Sequence, residues 1–240
     1  MWWKKKKGKA QKKSGLSVVL PGVLHLGEGE ENPLFRPLGG MPLLARTLET
    51  LNGMSLVGEI IVVVREADLM VVADLCKTFD LHRVRKIVTG EKPGLPALIT
   101  GVFECEREAS YIGIHDPLRP FLTEDVMAGV LKAAKQGSAA APGVPVKDTI
   151  KVVVDNVVQH TPDRNSLNIV QTPQIVESSL LKAALIRAKE SGGEAEDIPA
   201  ALELLGLSLH LTLGREENIR VSKVTDIPVA ETILAWRGYS

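Results

Sequence analysis

A short segment, His115-Asp116-Pro117-Leu118-Arg119-Pro120-Phe121, follows the apolar run Ser110 to Ile114 and brings an imidazole, a carboxylate and a guanidinium within five residues. A carboxylate just after a buried strand can hold a divalent cation at the sheet edge, and that cation can neutralise phosphate charge. The plainer alternative makes Asp116 a turn residue and Arg119 its ion-pair partner. His115 alone is no ligand signal. A second candidate is the loop after Leu20, Pro21-Gly22-Val23-Leu24-His25-Leu26-Gly27-Glu28-Gly29-Glu30-Glu31-Asn32-Pro33. Glycines there would let backbone N–H groups wrap a phosphate. The loop also carries three acids and no Lys or Arg before Arg36, and acids repel such a ligand. The third candidate is residues 144–174, where Lys147, Asp148, Arg164 and two Thr-Pro pairs surround β-rich runs. Asp155-Asn156 separates Ile150–Val154 from Val157–Gln159, and Asx residues tolerate the left-handed backbone of a tight turn, so a hairpin is predicted. On residue types alone this is a surface β-arm.

Alternating strands and helices must position these groups. Leu16–Leu20, Glu59–Val64, Lys86–Thr89, Ser110–Ile114 and Ser138–Pro142 have strand patterns; Glu59–Val64 is a continuous β-branched run of the kind buried on both faces. Helices are predicted over Pro42–Leu51, Glu66–Phe79, Pro96–Arg107 and Thr123–Lys135, the last capped by Thr123 with Glu124 and Asp125 in its first turn. Thr172 with Pro173 predicts another helix start, with Gly192-Gly193 as its end. A short helix at Ile198–Leu205, strands at Ser208–Leu213 and Ile219–Ser222, and a helix at Asp226–Trp236 complete the chain. This alternation implies an α/β fold with a mostly parallel sheet. Ligands of such sheets bind outside the carboxyl ends of the strands, which points to the segments after Leu20, Val64, Thr89 and Ile114.

Composition narrows the classes. The 240 residues suffice for a large core, and 45% are hydrophobic. The formal net charge is zero, but residues 1–13 hold seven lysines and no acid; without them 22 basic residues face 29 acidic ones, a net of −7. Nucleic-acid binding by so acidic a body is not expected. Residues 1–14 read as a disordered lysine-rich tail, with Trp2 and Trp3 as a possible interfacial anchor in the alternative. No stretch there suits a signal peptide or a membrane span, so the cytoplasm is the expected location and membrane partners are not expected. Cys76 and Cys105 have no CxxC or His spacing that would suggest a disulfide scaffold or a zinc site.

Several motifs together resemble one family. Pro145-Val-Lys-Asp-Thr-Ile-Lys151, Thr161-Pro-Asp-Arg164, Gln171-Thr-Pro-Gln174 and His115-Asp116-x-x-Arg119-Pro120-Phe121 carry the likeness most strongly. Arg36-Pro-Leu-Gly-Gly-x-Pro-Leu-Leu44 and Glu217-Asn-Ile-Arg220 add to it. Over about Leu16 to Leu234 the chain resembles the 2-C-methyl-D-erythritol 4-phosphate cytidylyltransferases of isoprenoid biosynthesis. The resemblance implies a Rossmann-like nucleotidyltransferase three-layer sandwich over residues 15–240, with a β-arm at about 144–172 that exchanges between subunits of a homodimer. It implies a reaction of CTP with the sugar-alcohol phosphate, with Mg2+ present and pyrophosphate leaving.

By the same resemblance, Asp116 is the metal-side acid, and Asp116, Arg164 and Arg220 are the catalytic candidates. Asp148, Thr149, Arg164, Asp197 and Arg220 would bind the acceptor, with Arg164 reaching a partner's site. Pro21, Gly22, Lys92, Ala97, His115 and Asp116 would bind the nucleotide. Arg220 stands where the family has Lys, and Glu196-Asp197 where it has Thr-Asp. The nucleotide loops depart furthest. Val23, Leu24 and Leu26 replace small residues and glycine, Glu28 falls where a catalytic Arg belongs, and Leu34 follows Pro33 where a catalytic Lys belongs. In the second loop, Thr89 to Ala97, the family's Arg and Ser are missing. Losing one preorganised donor at a transition state costs ~10²–10³ in rate. Slow cytidylyl transfer is therefore expected; the alternative is a non-catalytic homologue that keeps the arm and acceptor pocket. Val23, Leu24 and Leu26 are also expected to prevent a close backbone wrap around phosphates.

Overall fold

The computed structural model describes residues 15–27, 29–192, 195 and 197–238. The lysine tail, Glu28, Gly193 and Glu196 lie outside them. In chain order the first half comprises β1 (Leu16–Pro21), β2 (Pro37–Leu38), β3 (Met41–Pro42), α1 (Leu43–Gly53), β4 (Glu59–Val64), α2 (Leu69–Thr78), β5 (Val84–Thr89), α3 (Leu95–Phe103), β6 (Tyr111–Ile114) and α4 (Glu124–Gly137). The second half comprises β7 (Ala139–Pro145), β8 (Val152–Val154), β9 (Val157–His160), β10 (Asn168–Val170), β11 (Gln174–Glu177), α5 (Ser178–Glu190), α6 (Ile198–Glu203), β12 (His210–Leu213) and α7 (Ile227–Trp236).

The central sheet has the order β10-β7-β11-β6-β1-β4-β5, with β12 also paired to β7. β1 lies parallel between β4 and β6, and β5 extends β4 in the same direction. β11 inserts antiparallel between β6 and β7. Side-chain alternation along these strands builds two cores. Val18, Leu20, Ile60, Val62 and Val64 join the apolar faces of α1, α4 and α7 on one side, with Val72 of α2. Val19, Ile61 and Val63 join those of α3, α5 and α6 on the other. The expected three layers follow directly, and the Ile-Ile-Val-Val-Val run of β4 is wholly buried because helices cover both its faces.

The expected hairpin is present as β8 and β9. Asp155 (φ 48°) and Asn156 (φ 63°) are both left-handed, as a two-residue type I′ turn requires. Its valines face outward: Val153, Val154, Val157 and Val158 are each half or more exposed.

Other expectations are corrected. The helix predicted with Thr172 as its cap and Pro173 as its first residue starts five residues later, at Ser178, where Glu177 accepts the Ser179 N–H. Residues Gln174–Glu177 form β11 instead, because Ile175 and Val176 each fill a core on opposite faces of the sheet. Long-range pairing with β6 and β7 overrides the local Thr-Pro helix signal. Ile219–Ser222 is not a strand. The chain beside it is interrupted by Pro117 and Pro120 and offers one backbone bond, Val221 N–H to the Leu118 carbonyl (2.8 Å), rather than a ladder. α3 stops at Phe103 rather than Arg107, and Thr123 stands at the N-cap of α4 without a side-chain capping bond. Among the described residues no helix is long and apolar enough to cross a membrane.

Candidate active site

The carboxyl ends of β1, β5 and β6 open into one cleft of about 600 Å³. The loop after β1 lines it with Pro21, Val23, Leu24, His25, Leu26 and Glu30; the loop after β5 adds Pro93 and Gly94. Asp116, Thr172, Arg220 and Lys223 supply most of its remaining polar wall.

Asp116 is the centre of the polar wall. Its Oδ1 accepts the Leu118 N–H (3.0 Å), and its Oδ2 accepts from Arg220 Nε (2.7 Å), with Arg119 Nε at 3.7 Å. Both sequence readings of this carboxylate thus meet in one group: it is a turn aspartate paired to Arg119, and it faces the cleft at a sheet edge. The Asp116 N–H donates to Thr172 Oγ1 (3.0 Å). Behind it, His115 is fully buried and is not part of the cleft wall. Its Nε2 lies 3.0 Å from the Arg119 carbonyl and its Nδ1 3.0 Å from Thr172 Oγ1. A carbonyl only accepts, so Nε2 carries the proton and Nδ1 accepts from the threonine hydroxyl.

Burial pushes the His115 imidazole down to about 4, against the opposing pull of the Arg119 carbonyl and Asp116. The sign of the consequence is fixed. A group whose pKa falls on folding binds fewer protons in the native state, so its contribution is complete above the ordinary histidine range and is lost as pH falls from about 6.5 towards 4. Urea unfolding at pH 7.5 and pH 5 should show a loss on the order of 2–3 kcal/mol that His115→Asn removes. Equal acid sensitivity in both proteins would contradict it.

The other sequence candidates are dispersed. Gly22 donates its N–H to the Val63 carbonyl, and a Cβ there would lie 2.9 Å from that oxygen, so only glycine lets the loop leave β1 this closely to β4. Ala97 is buried in α3 beneath the second loop, and Lys92 is exposed outside the cleft wall. Asp148, Thr149 and Arg164 are exposed on the arm segment, away from this chain's own cleft wall. Asp197 caps α6 by accepting the Ala200 N–H (2.9 Å). Arg36 donates to the Ser222 carbonyl and Lys147 pairs with Glu216, and neither lines the cleft.

The loop after β1 has its own chemistry. Val23 is buried in the core, Leu34 is completely buried, and the Gly27 N–H donates to the Glu30 carboxylate (2.9 Å). An internal carboxylate therefore occupies a backbone donor that an anionic ligand could use. Sequence reasoning missed two further residues, Thr172 and Asn218. Asn218 is buried, donates from Nδ2 to the Thr172 carbonyl (3.1 Å), and accepts Arg119 Nη1 on its own carbonyl (2.6 Å). The signal for both was their place inside matched motifs, since neither residue type suggests chemistry by itself.

Magnesium fits this wall only in one way. Among the described residues no three His, Cys, Asp or Glu side chains converge as a metal site. Of the two cleft carboxylates, Glu30 already accepts the Gly27 N–H, which leaves Asp116, and Mg2+ commonly takes one or two carboxylates with phosphate oxygens and water completing its shell.

The chain matches the family model for IspD, 2-C-methyl-D-erythritol 4-phosphate cytidylyltransferase, over residues 24–236. It is 32% identical over 207 residues to the cytidylyltransferase of that name from Geobacter metallireducens, covering 85% of this chain and 89% of the relative. It is also 32% identical over 227 residues to that of Alkaliphilus oremlandii, covering 94% and 96%. The fold matches the crystal structure of 4-diphosphocytidyl-2C-methyl-D-erythritol synthase from Anaerococcus prevotii with a TM-score of 0.81, at 24% identity and covering 92% of this chain and 98% of that one. With a Rossmann-like sheet, a cleft at its carboxyl edge and these matches spanning nearly the whole chain, the protein belongs to the 2-C-methyl-D-erythritol 4-phosphate cytidylyltransferase family.

Proposed function

We propose that this chain joins CTP and 2-C-methyl-D-erythritol 4-phosphate in isoprenoid biosynthesis, and does so slowly. An oxygen of the acceptor phosphate bonds to the α-phosphorus of CTP, the bond from that phosphorus to the bridging oxygen breaks, and pyrophosphate leaves. The observation that carries the reading is the Asp116–Arg220 pair at 2.7 Å on the wall of the carboxyl-edge cleft. Arg220 can turn its outward guanidinium nitrogens to phosphate oxygens while Nε stays on Asp116. Asp116 would hold Mg2+, which when bound neutralises charge on the triphosphate. The reaction asks mainly for positioning and charge stabilisation, and both groups are held for that.

Slowness follows from the first loop. By resemblance Glu28 and Leu34 stand where the reaction needs cations, Leu34 is buried, and the lining acids Glu30 and Asp116 balance the lining bases Arg220 and Lys223. The same observations favour a second reading, a non-catalytic homologue that binds through its acceptor pocket and arm. The exposed valines of β8 and β9 fit a homodimer in which the partner covers the arm, and Asp148, Thr149 and Arg164 reach the partner's cleft.

Purified protein with CTP, Mg2+ and the acceptor phosphate decides between the readings by pyrophosphate release. Turnover that needs all three components is expected, about 10²-fold or more below a loop with both cations. No turnover, with no CTP binding by calorimetry, would leave the non-catalytic reading.

A further inference from the structure

We infer that His115 and Thr172 are positioning residues that hold the Asp116 carboxylate for reaction through a closed hydrogen-bonded ring behind the cleft. The ring can be followed atom by atom. The Asp116 N–H donates to Thr172 Oγ1 at 3.0 Å, and the Thr172 hydroxyl donates to His115 Nδ1 at 3.0 Å. His115 Nε2–H donates to the Arg119 carbonyl at 3.0 Å, and Arg119 Nη1 donates to the Asn218 carbonyl at 2.6 Å. Asn218 Nδ2 returns to the Thr172 carbonyl at 3.1 Å and closes the circuit.

Three separate stretches meet here: the turn after β6, the residue two before β11, and the segment before α7. The turn delivers Asp116, and the last segment delivers Arg220 two residues after Asn218. One ring therefore fixes both partners of the 2.7 Å ion pair. The hydroxyl of Thr172 is used twice, as acceptor and as donor, so its rotation is set by the two groups it bridges. His115 is fully buried, so its effect passes through Thr172 and Arg119 rather than through a ligand. A small displacement of a positioned group is enough to lower a rate by about 10²-fold.

The inference rests on the cytidylyltransferase reading, and four variants separate the two. Thr172→Val removes the hydroxyl with little change of shape, and Thr172→Ser restores it. His115→Leu removes both ring contacts, and His115→Asn keeps an acceptor near the Nδ1 place. With CTP, Mg2+ and acceptor, Thr172→Val and His115→Leu should lose about 10- to 100-fold in kcat while the KM for CTP stays within about threefold. Thr172→Ser and His115→Asn should recover most of that loss. Thermal melting shows which variants fold, and Thr172→Val carries the test if His115→Leu does not. Unchanged kcat in folded Thr172→Val overturns the inference. So does a loss confined to KM, which marks a ligand contact, or an equal loss in the Ser and Asn variants.

Absence of turnover in the wild-type protein is instead a failure of the cytidylyltransferase reading. The ring is then judged by the ¹⁵N NMR signature of His115. A neutral ring protonated on Nε2, perturbed at Nδ1 by Thr172→Val, supports it; a ring protonated on Nδ1 overturns it.

Discussion

Asp116→Asn is expected to lower kcat by about 10³-fold without raising the KM for CTP. The side chain keeps its size and its Oδ1 can still accept the Leu118 N–H, so the turn after β6 should persist. What disappears is a negative charge that balances Arg220 at 2.7 Å and Arg119 at 3.7 Å. The cleft wall becomes more positive, which favours a polyanionic nucleotide in the ground state. Under the proposed function, the loss is of the anionic oxygen that would face Mg2+ and of the fixed direction of Arg220, both of which matter most where charge develops. Rate should therefore separate from affinity. A rise in KM with unchanged kcat would assign Asp116 to simple binding, and a variant retaining a tenth of wild-type kcat would remove it from the chemistry. The half-buried Arg119 loses its counter-charge, so a modest fall in stability, on the order of 1–3 kcal/mol, should accompany the change. Titrating Mg2+ in the pyrophosphate-release assay supplies the decisive curve: the residual activity of the variant should need far more metal.

How much of this was legible beforehand depended on the distance over which each signal acts. β1, β4 and the Asp155-Asn156 hairpin were readable because their patterns are complete within six or so residues: a β-branched run, or two Asx residues between valines. The turn carrying Asp116 was readable as a strand followed by chemistry. Thr172 was misread because Thr-Pro is a good helix start by local rules, whereas its segment was decided by pairing with β6 and β7. Ile219–Ser222 has a strand's composition and no continuous neighbour to pair with. The ring behind Asp116 joins residues as far apart as Arg119 and Asn218, and no local pattern encodes such a meeting. The family resemblance placed site residues at motif positions, but it could not show that Asp197 is committed to capping α6 or that Lys92 stands outside the cleft wall.

The position of Leu34 gives the second large effect. By resemblance it stands where a catalytic lysine belongs, and replacing it looks like a repair. Leu34→Lys is instead expected to destabilise the protein by about 3–5 kcal/mol and to leave turnover no higher. Leu34 is completely buried in a cluster with Leu20, Leu38, Leu43 and Leu44. Its turn, Pro33–Phe35, is fixed from outside: Asn32 accepts the Leu34 N–H (3.1 Å) and donates to Asp68 Oδ2 (3.1 Å). Asp68, itself buried, already takes two bonds from Arg65 and cannot freely serve a new ammonium. The melting temperature should fall by roughly 10 °C for a chain of this size. A buried lysine has a lowered pKa, so the unfolded state binds more protons, and the variant alone should regain stability as pH rises from 7 to 9.5. A variant that melts within a few degrees of wild type and turns over faster would mean that the turn swings outward and carries the cation into the cleft. The expected result means something different: the departure in this loop has been absorbed into the core, so catalytic charge cannot be restored at Leu34 without first repacking the contact between that turn and α1.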